Sequence, residues 1–197
     1  GYHYTVYWSP GLNEHWRFVD DQEATGSTSS VVSPRESSKP SGFYAVRESP
    51  PVVVSADITS DTVWSAMSGP YVLNRVINVG VGVSLTVEHG VRVRSMGNSG
   101  LSVSGGVLRV AGASDDPVVF TSVGDDVWNG IVFHGAGAGF TFSNVVVEGA
   151  ATGLRLSGCT GLLDGVTVQY CGESGLIVDS FTGTLTRKPP VETKMAS

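Results

Sequence analysis

Apolar-x-apolar triplets return along this chain at a nearly fixed interval. Leu85-Thr86-Val87, Leu108-Arg109-Val110, Ile131-Val132-Phe133, Leu154-Arg155-Leu156 and Leu176-Ile177-Val178 begin 23, 23, 23 and 22 residues apart. Further short apolar runs lie between them, among them Leu101-Ser102-Val103, Val118-Val119-Phe120, Phe140-Thr141-Phe142 and Val145-Val146-Val147. A strand of three to five residues cannot bury an apolar side alone. Stacking coils about 4.8 Å apart pairs each strand in parallel with its equivalent in the next coil and piles the apolar positions into an interior column. The repeat therefore predicts an all-β chain, a right-handed parallel β-helix of about five coils, with Leu85, Leu108, Ile131, Leu154 and Leu176 as its ladder. Gly130, Gly153 and Gly175 directly precede three of the triplets and are expected at tight turns delivering the strands. An antiparallel meander would show hairpin signals and no fixed period.

Composition agrees and narrows the function classes. Gly supplies 26 of 197 residues, and no stretch keeps apolar residues at helical spacing. With a net charge of −6 and only three lysines, the chain has no basic patch to neutralise phosphates, so nucleic acid is not an expected partner. No apolar run reaches the length of a transmembrane helix, and Gly1-Tyr2 opens the sequence without the basic and apolar regions of an export signal. The expectation is a soluble piece of a longer secreted protein, with any signal upstream. Cys159 and Cys171 are too few for a disulfide scaffold; they could pair in an oxidising compartment, but two small buried hydrophobes are the preferred expectation.

Residues 1–49 differ from the repeat. Short aromatic bursts, Tyr7-Trp8, Trp16-Arg17-Phe18-Val19 and Phe43-Tyr44-Ala45-Val46, flank a Ser/Thr/Gly/Pro-rich stretch from Thr25 to Ser41. They predict a small strand-rich module, or the end of a larger domain. The segment resembles a short module of secreted multidomain bacterial proteins, with Trp16 and Val19 on one strand and Phe43, Tyr44 and Val46 on the last. Ser49-Pro50-Pro51 breaks the chain there. The reading assigns 50–61 to a linker leading in, 62–185 to the β-helix and 186–197 to a polar tail.

From Thr62 to Val178 the chain resembles the right-handed parallel β-helix, or pectin lyase-like, superfamily of secreted bacterial type. The resemblance rests on Thr62-Val63-Trp64, Gly69-Pro70-Tyr71-Val72, Val83 to Val93, Asp116-Pro117-Val118-Val119-Phe120-Thr121-Ser122 and Trp128-Asn129-Gly130-Ile131. His89 stands where the family corner usually has proline. The superfamily holds polysaccharide lyases and hydrolases as well as noncatalytic surface proteins, so it implies the fold more sharply than the activity.

Chemistry is sought on the outward row, because side chains alternate across a strand. In the expected register that row reads Thr86, Arg109, Val132, Arg155 and Ile177, with His134 close by. Arg109, Arg155 and His134 are then the candidate ligand-binding residues for an acidic or polyhydroxylated saccharide, and the nearest to a catalytic set, although none is assigned as catalytic. In lyases of this fold the resemblance implies an Arg or Lys base and Ca²⁺ held by clustered acids; an ordinary Arg hardly surrenders its proton. No cofactor is assigned. Asp115, Asp116, Asp125 and Asp126 are the candidates for Ca²⁺, but they sit in turns and no Asp ladder recurs. Trp128 is the candidate for stacking on a sugar ring, and a core or capping role is preferred for it and for Trp64.

The reading is a noncatalytic extracellular structural or binding module of a larger secreted or cell-surface protein, with polysaccharide or surface glycan as the ligand class. The alternative is a fragment of a β-helix polysaccharide lyase or glycoside hydrolase. The final coil lacks an amphipathic cap and is expected to continue in further sequence or to pair with another chain.

Overall fold

The computed structural model describes residues 3–9, 17–23 and 43–186, and every regular element among them is a β-strand. Near the N-terminus β1 (His3–Ser9) lies between β2 (Arg17–Glu23) and β3 (Phe43–Ser49), antiparallel to both. Val19 falls on β2, and Phe43, Tyr44 and Val46 on β3. Val6 and Trp8 are buried, whereas Phe43, Tyr44 and Val46 face solvent. Trp16, the Thr25–Ser41 stretch and the tail from 187 lie outside the described residues.

After Ser49 the chain winds into a parallel β-solenoid of six coils. The first holds β4 (Val52–Val54) and β5 (Thr62–Trp64), the second β6 (Tyr71–Leu73), β7 (Val76–Val79) and β8 (Ser84–Glu88). The third holds β9 (Arg92–Ser95), β10 (Gly100–Ser104) and β11 (Val107–Ala111). β12 (Val118–Ser122), β13 (Ile131–His134) and the first half of β14 (Gly139–Glu148) make the fourth. The second half of β14 and most of β15 (Thr152–Gln169) make the fifth; the end of β15 and β16 (Ser174–Thr186) make the sixth. The coil count exceeds expectation by one, because Val52–Val54 already pair with β6 inside the stretch expected as linker.

Stacking produces three faces. Face I runs β4, β6, β9, β12, end of β14, end of β15; face II runs β7, β10, β13, start of β15, start of β16. Face III runs β5, β8, β11, start of β14, middle of β15, end of β16. This corrects the expected ladder. Leu85 and Leu108 stack on face III and are followed by Phe140, while Ile131, Leu154 and Leu176 stack on face II above Ile77 and Leu101. Leu108 and Ile131 occupy different columns. The reason is a pair of longer turns, 112–117 and 123–130, on either side of β12.

The inward side chains form one continuous core from Ile58 to Leu163. At its centre Phe133, Phe140 and Phe142 contact one another with ring centroids 4.6–5.9 Å apart, a spacing at which edge-to-face rings attract. The glycines ahead of the triplets divide between two roles. Gly130 does turn the chain, at φ +85°, but Gly153 and Gly175 lie inside β15 and β16. A Cβ on Gly153 would come within 2.7 Å of the Gly175 carbonyl oxygen and closer still to Val168. Close approach of the neighbouring coil, not turning, requires glycine at Gly153, whereas a Cβ on Gly175 would meet nothing nearer than 3.6 Å.

Candidate functional site

Face II carries two of the expected ligand-binding residues, His134 and Arg155. Because β7, β10, β13, β15 and β16 pair in register, their outward residues form two rows. One reads Asn78, Ser102, Val132, Arg155, Ile177; the other, two positions on, contains Ser104, His134, Ser157 and Asp179. The rows are tied across coils. Ser104 donates its hydroxyl proton to Asn78 Oδ1 at 2.7 Å, and Ser102 Oγ and His134 Nε2 share a hydrogen bond of 2.9 Å. Arg155 is exposed one coil beyond His134, and strand rise and coil spacing put the two Cα atoms roughly 8 Å apart.

Arg109 is not part of this surface. It projects from face III between Thr86 and Thr141, so the two arginines expected on one groove point from different sides of the solenoid. The split follows from the same longer turns that divided the ladder. Near Arg109, the Asp61 carboxyl is held below the ordinary carboxylate range: it accepts the Ser84 backbone N–H at 2.8 Å and the Ser84 hydroxyl at 3.0 Å, and the Arg109 charge adds to the effect. The strand-edge amide, not a substrate, is what that carboxylate serves.

Trp128 is fully buried, and its indole N–H donates to the Glu148 carbonyl at 2.9 Å. It bridges Ala150 in the coil stack and plugs the core, so it offers no ring to a sugar. Trp64 is likewise buried, stacked on Tyr71 at 4.8 Å.

The four acids sit in the two longer turns and do separate work. Asp126 accepts the Gly97 N–H at 3.1 Å, whereas Asp116 is buried with its Oδ2 3.0 Å from His89 Nδ1. Asp115 and Asp125 are exposed. Among the described residues no three His, Cys, Asp or Glu side chains converge to hold a metal ion. The His89–Asp116 contact spans 27 positions and joins a corner of one coil to the turn of the next; only the coil register could have revealed it. Gly90 leaves room for it, since a Cβ there would meet the Asp116 carboxylate at 2.6 Å. Cys159 and Cys171 are free thiols, and burial pushes the Cys159 thiol up.

Comparison with protein-family models, with curated proteins and with solved structures finds no match for this chain. The face II rows therefore stand on their own geometry. They carry hydroxyl, amide, imidazole and guanidinium groups, with His134 and Arg155 exposed and Asn78, Ser102 and Ser104 half-buried. Groups of these kinds are donors and acceptors of hydrogen bonds. The described residues contain no helix long and apolar enough to cross a membrane.

Proposed function

We propose that this chain is a noncatalytic extracellular module of a larger secreted or cell-surface protein, of the pectin lyase-like β-helix type, with face II as its contact surface for saccharide. The observation that carries the reading is the pair of preformed contacts, Asn78 with Ser104 and Ser102 with His134, beside exposed Arg155. Side chains already fixed in place lose less freedom when a ligand arrives, which favours recognition by a rigid rod. Arg109 and Arg155, the nearest to a lyase base, share no groove, which supports binding over turnover.

Glycan-array binding of the intact chain tests this, with His134→Ala and Arg155→Ala as the sensitive variants and Arg109→Ala as the control on face III. Retained affinity in both face II variants would remove the surface from the account. Incubation with polygalacturonate or alginate plus Ca²⁺ is expected to yield no unsaturated product by ultraviolet absorbance. Turnover abolished by Arg109→Ala or Arg155→Ala would replace the module with a fragment of a lyase.

A further inference from the structure

Among the described residues, Asn98, Asn144, Tyr170 and Ser180 hold a positive φ without being glycine. Asparagine tolerates that conformation because its short amide bonds locally, and Asn144 Nδ2 donates to the Gly112 carbonyl at 3.1 Å. Tyr170, at φ +53°, is the bulky one. For a side chain of that size the left-handed region costs free energy that glycine would not lose. Glu148 pairs with Gln169, so Gly149 and Tyr170 hold the same corner position in the fifth and sixth coils, and Gly149 has the same left-handed backbone at φ +70°. Glycine suffices for the turn.

The tyrosine ring does not stabilise the fold by packing. Tyr170 is 82% exposed, and among the described residues its side chain makes no hydrogen bond or ring contact. Every other aromatic residue from Val52 to Thr186 is buried or packed against the core. Immediately before the ring, Gln169 Nε2 donates to Glu148 Oε2 at 2.8 Å, across the two coils, and both side chains are half-buried. That bond holds the pair in place. It leaves a carboxylate oxygen, the amide oxygen and one amide N–H for a ligand.

We propose that Tyr170, Glu148 and Gln169 form a subsite for a neutral sugar on the corner between faces I and II. The ring stacks on the apolar C–H face of a pyranose, and the amide and carboxylate take its hydroxyls. The ligand class rests on the saccharide reading of face II, but the corner is a separate contact. A bulky residue held in a sparsely populated backbone region, with no packing to stabilise it there, is a mark of binding sites. Chemistry selects the occupant: the Glu148 carboxylate accepts hydroxyl protons and repels an anion, and an apolar partner would leave the pair without hydrogen bonds. An uncharged, polyhydroxylated ring meets both demands.

Affinity electrophoresis of the intact chain tests this, in native gels cast with mixed-linkage β-glucan, galactomannan or dextran, and with alginate as the anionic arm. At least one neutral polysaccharide should retard the chain. Tyr170→Gly should weaken that binding on the order of 10-fold, as loss of an aromatic anchor does, and Tyr170→Trp should retain it. Gln169→Leu should weaken it less. In urea, Tyr170→Gly should unfold at or above the wild-type midpoint, because glycine is at ease in this turn; a lower midpoint means that the ring packs, and overturns the proposal. Binding that survives Tyr170→Gly but is lost in His134→Ala and Arg155→Ala also overturns it and leaves face II standing. Binding lost in Tyr170→Gly and kept in both face II variants supports the corner and removes face II. Retardation by alginate alone, or in no gel, overturns the subsite.

Discussion

At the first coil the hydrophobic column stops beneath Trp64 and Ile58, and Asp57 and Asp61 supply acceptors where an earlier strand would have supplied carbonyls. At the sixth coil the column stops in mid-pattern, with Leu176, Val178 and Leu185 pointing inward but half in water. Each coil between has a neighbour on both sides, whatever the length of its turns, so the contrast isolates what a neighbour contributes. In a stack each coil is stabilised by the coils it touches. An inward leucine therefore owes its value to the rung above as much as to its own position, and identical chemistry one coil apart differs in energetic weight.

The largest effect should come from the first coil. Trp64→Ala removes a buried indole and should cost about 3–5 kcal/mol, as buried Trp truncations do. Phe181→Ala, at the half-covered end, should cost no more than roughly half that, because less of its ring leaves the core. Urea midpoints of the two variants give the comparison, and equal losses would mean that the ends are capped alike.

A smaller step separates two leucines in one column. Leu154→Ala should destabilise by about 2–5 kcal/mol, and Leu176→Ala by about 1 kcal/mol. Equal losses at the two positions would mean that Leu176 is covered as fully as Leu154.

The coil architecture was legible because short apolar triplets cannot be buried except by stacking, and their spacing survives in the linear sequence. The assignment of triplets to faces was not legible. Leu101 and Ile131 are stacked 30 residues apart, an excess of seven over a regular 23-residue step, and seven is also the separation of Leu101 from Leu108. Insertions around β12 thus shift the phase by one whole face while preserving the interval from Leu108 to Ile131. The same coincidence placed Arg109 beside Arg155 on paper and apart in space. His134 and Arg155 lie beyond the insertions, so their expected proximity held. Trp128 reads as an exposed turn residue or as a core plug from sequence alone, and only the Glu148 carbonyl in the next coil decides between them. The role of Asp57 and Asp61 at the first coil is not legible in the sequence because they act on backbone amides more than twenty positions away.

The weakest expected effect is a pH dependence confined to the first coil. The Asp61 carboxyl titrates lower in the folded chain than its ordinary 3.8, chiefly through the Ser84 amide and hydroxyl. A depressed carboxylate contributes stability that is fully present above the unfolded value and is lost as pH falls through the folded one. Acid titration should therefore loosen the first coil below about pH 4, and hydrogen exchange at the Ser84 amide should accelerate there. Asp61→Asn should show that faster exchange already at neutral pH and little further change on acidification. Since Asp61 is exposed, the change is local and small.

The account rests on coils stacked in a register that divides the triplets between two faces. Paired cysteines read it directly in a Cys159→Ser, Cys171→Ser background. Ser102→Cys with Val132→Cys occupies neighbouring rungs of face II, about 4.8 Å apart and within disulfide reach, and should crosslink on mild oxidation. Arg109→Cys with Val132→Cys should stay reduced, because those positions belong to different faces. Crosslinking of the second pair and not the first would restore a single ladder through Leu108 and Ile131 and contradict the structure described above.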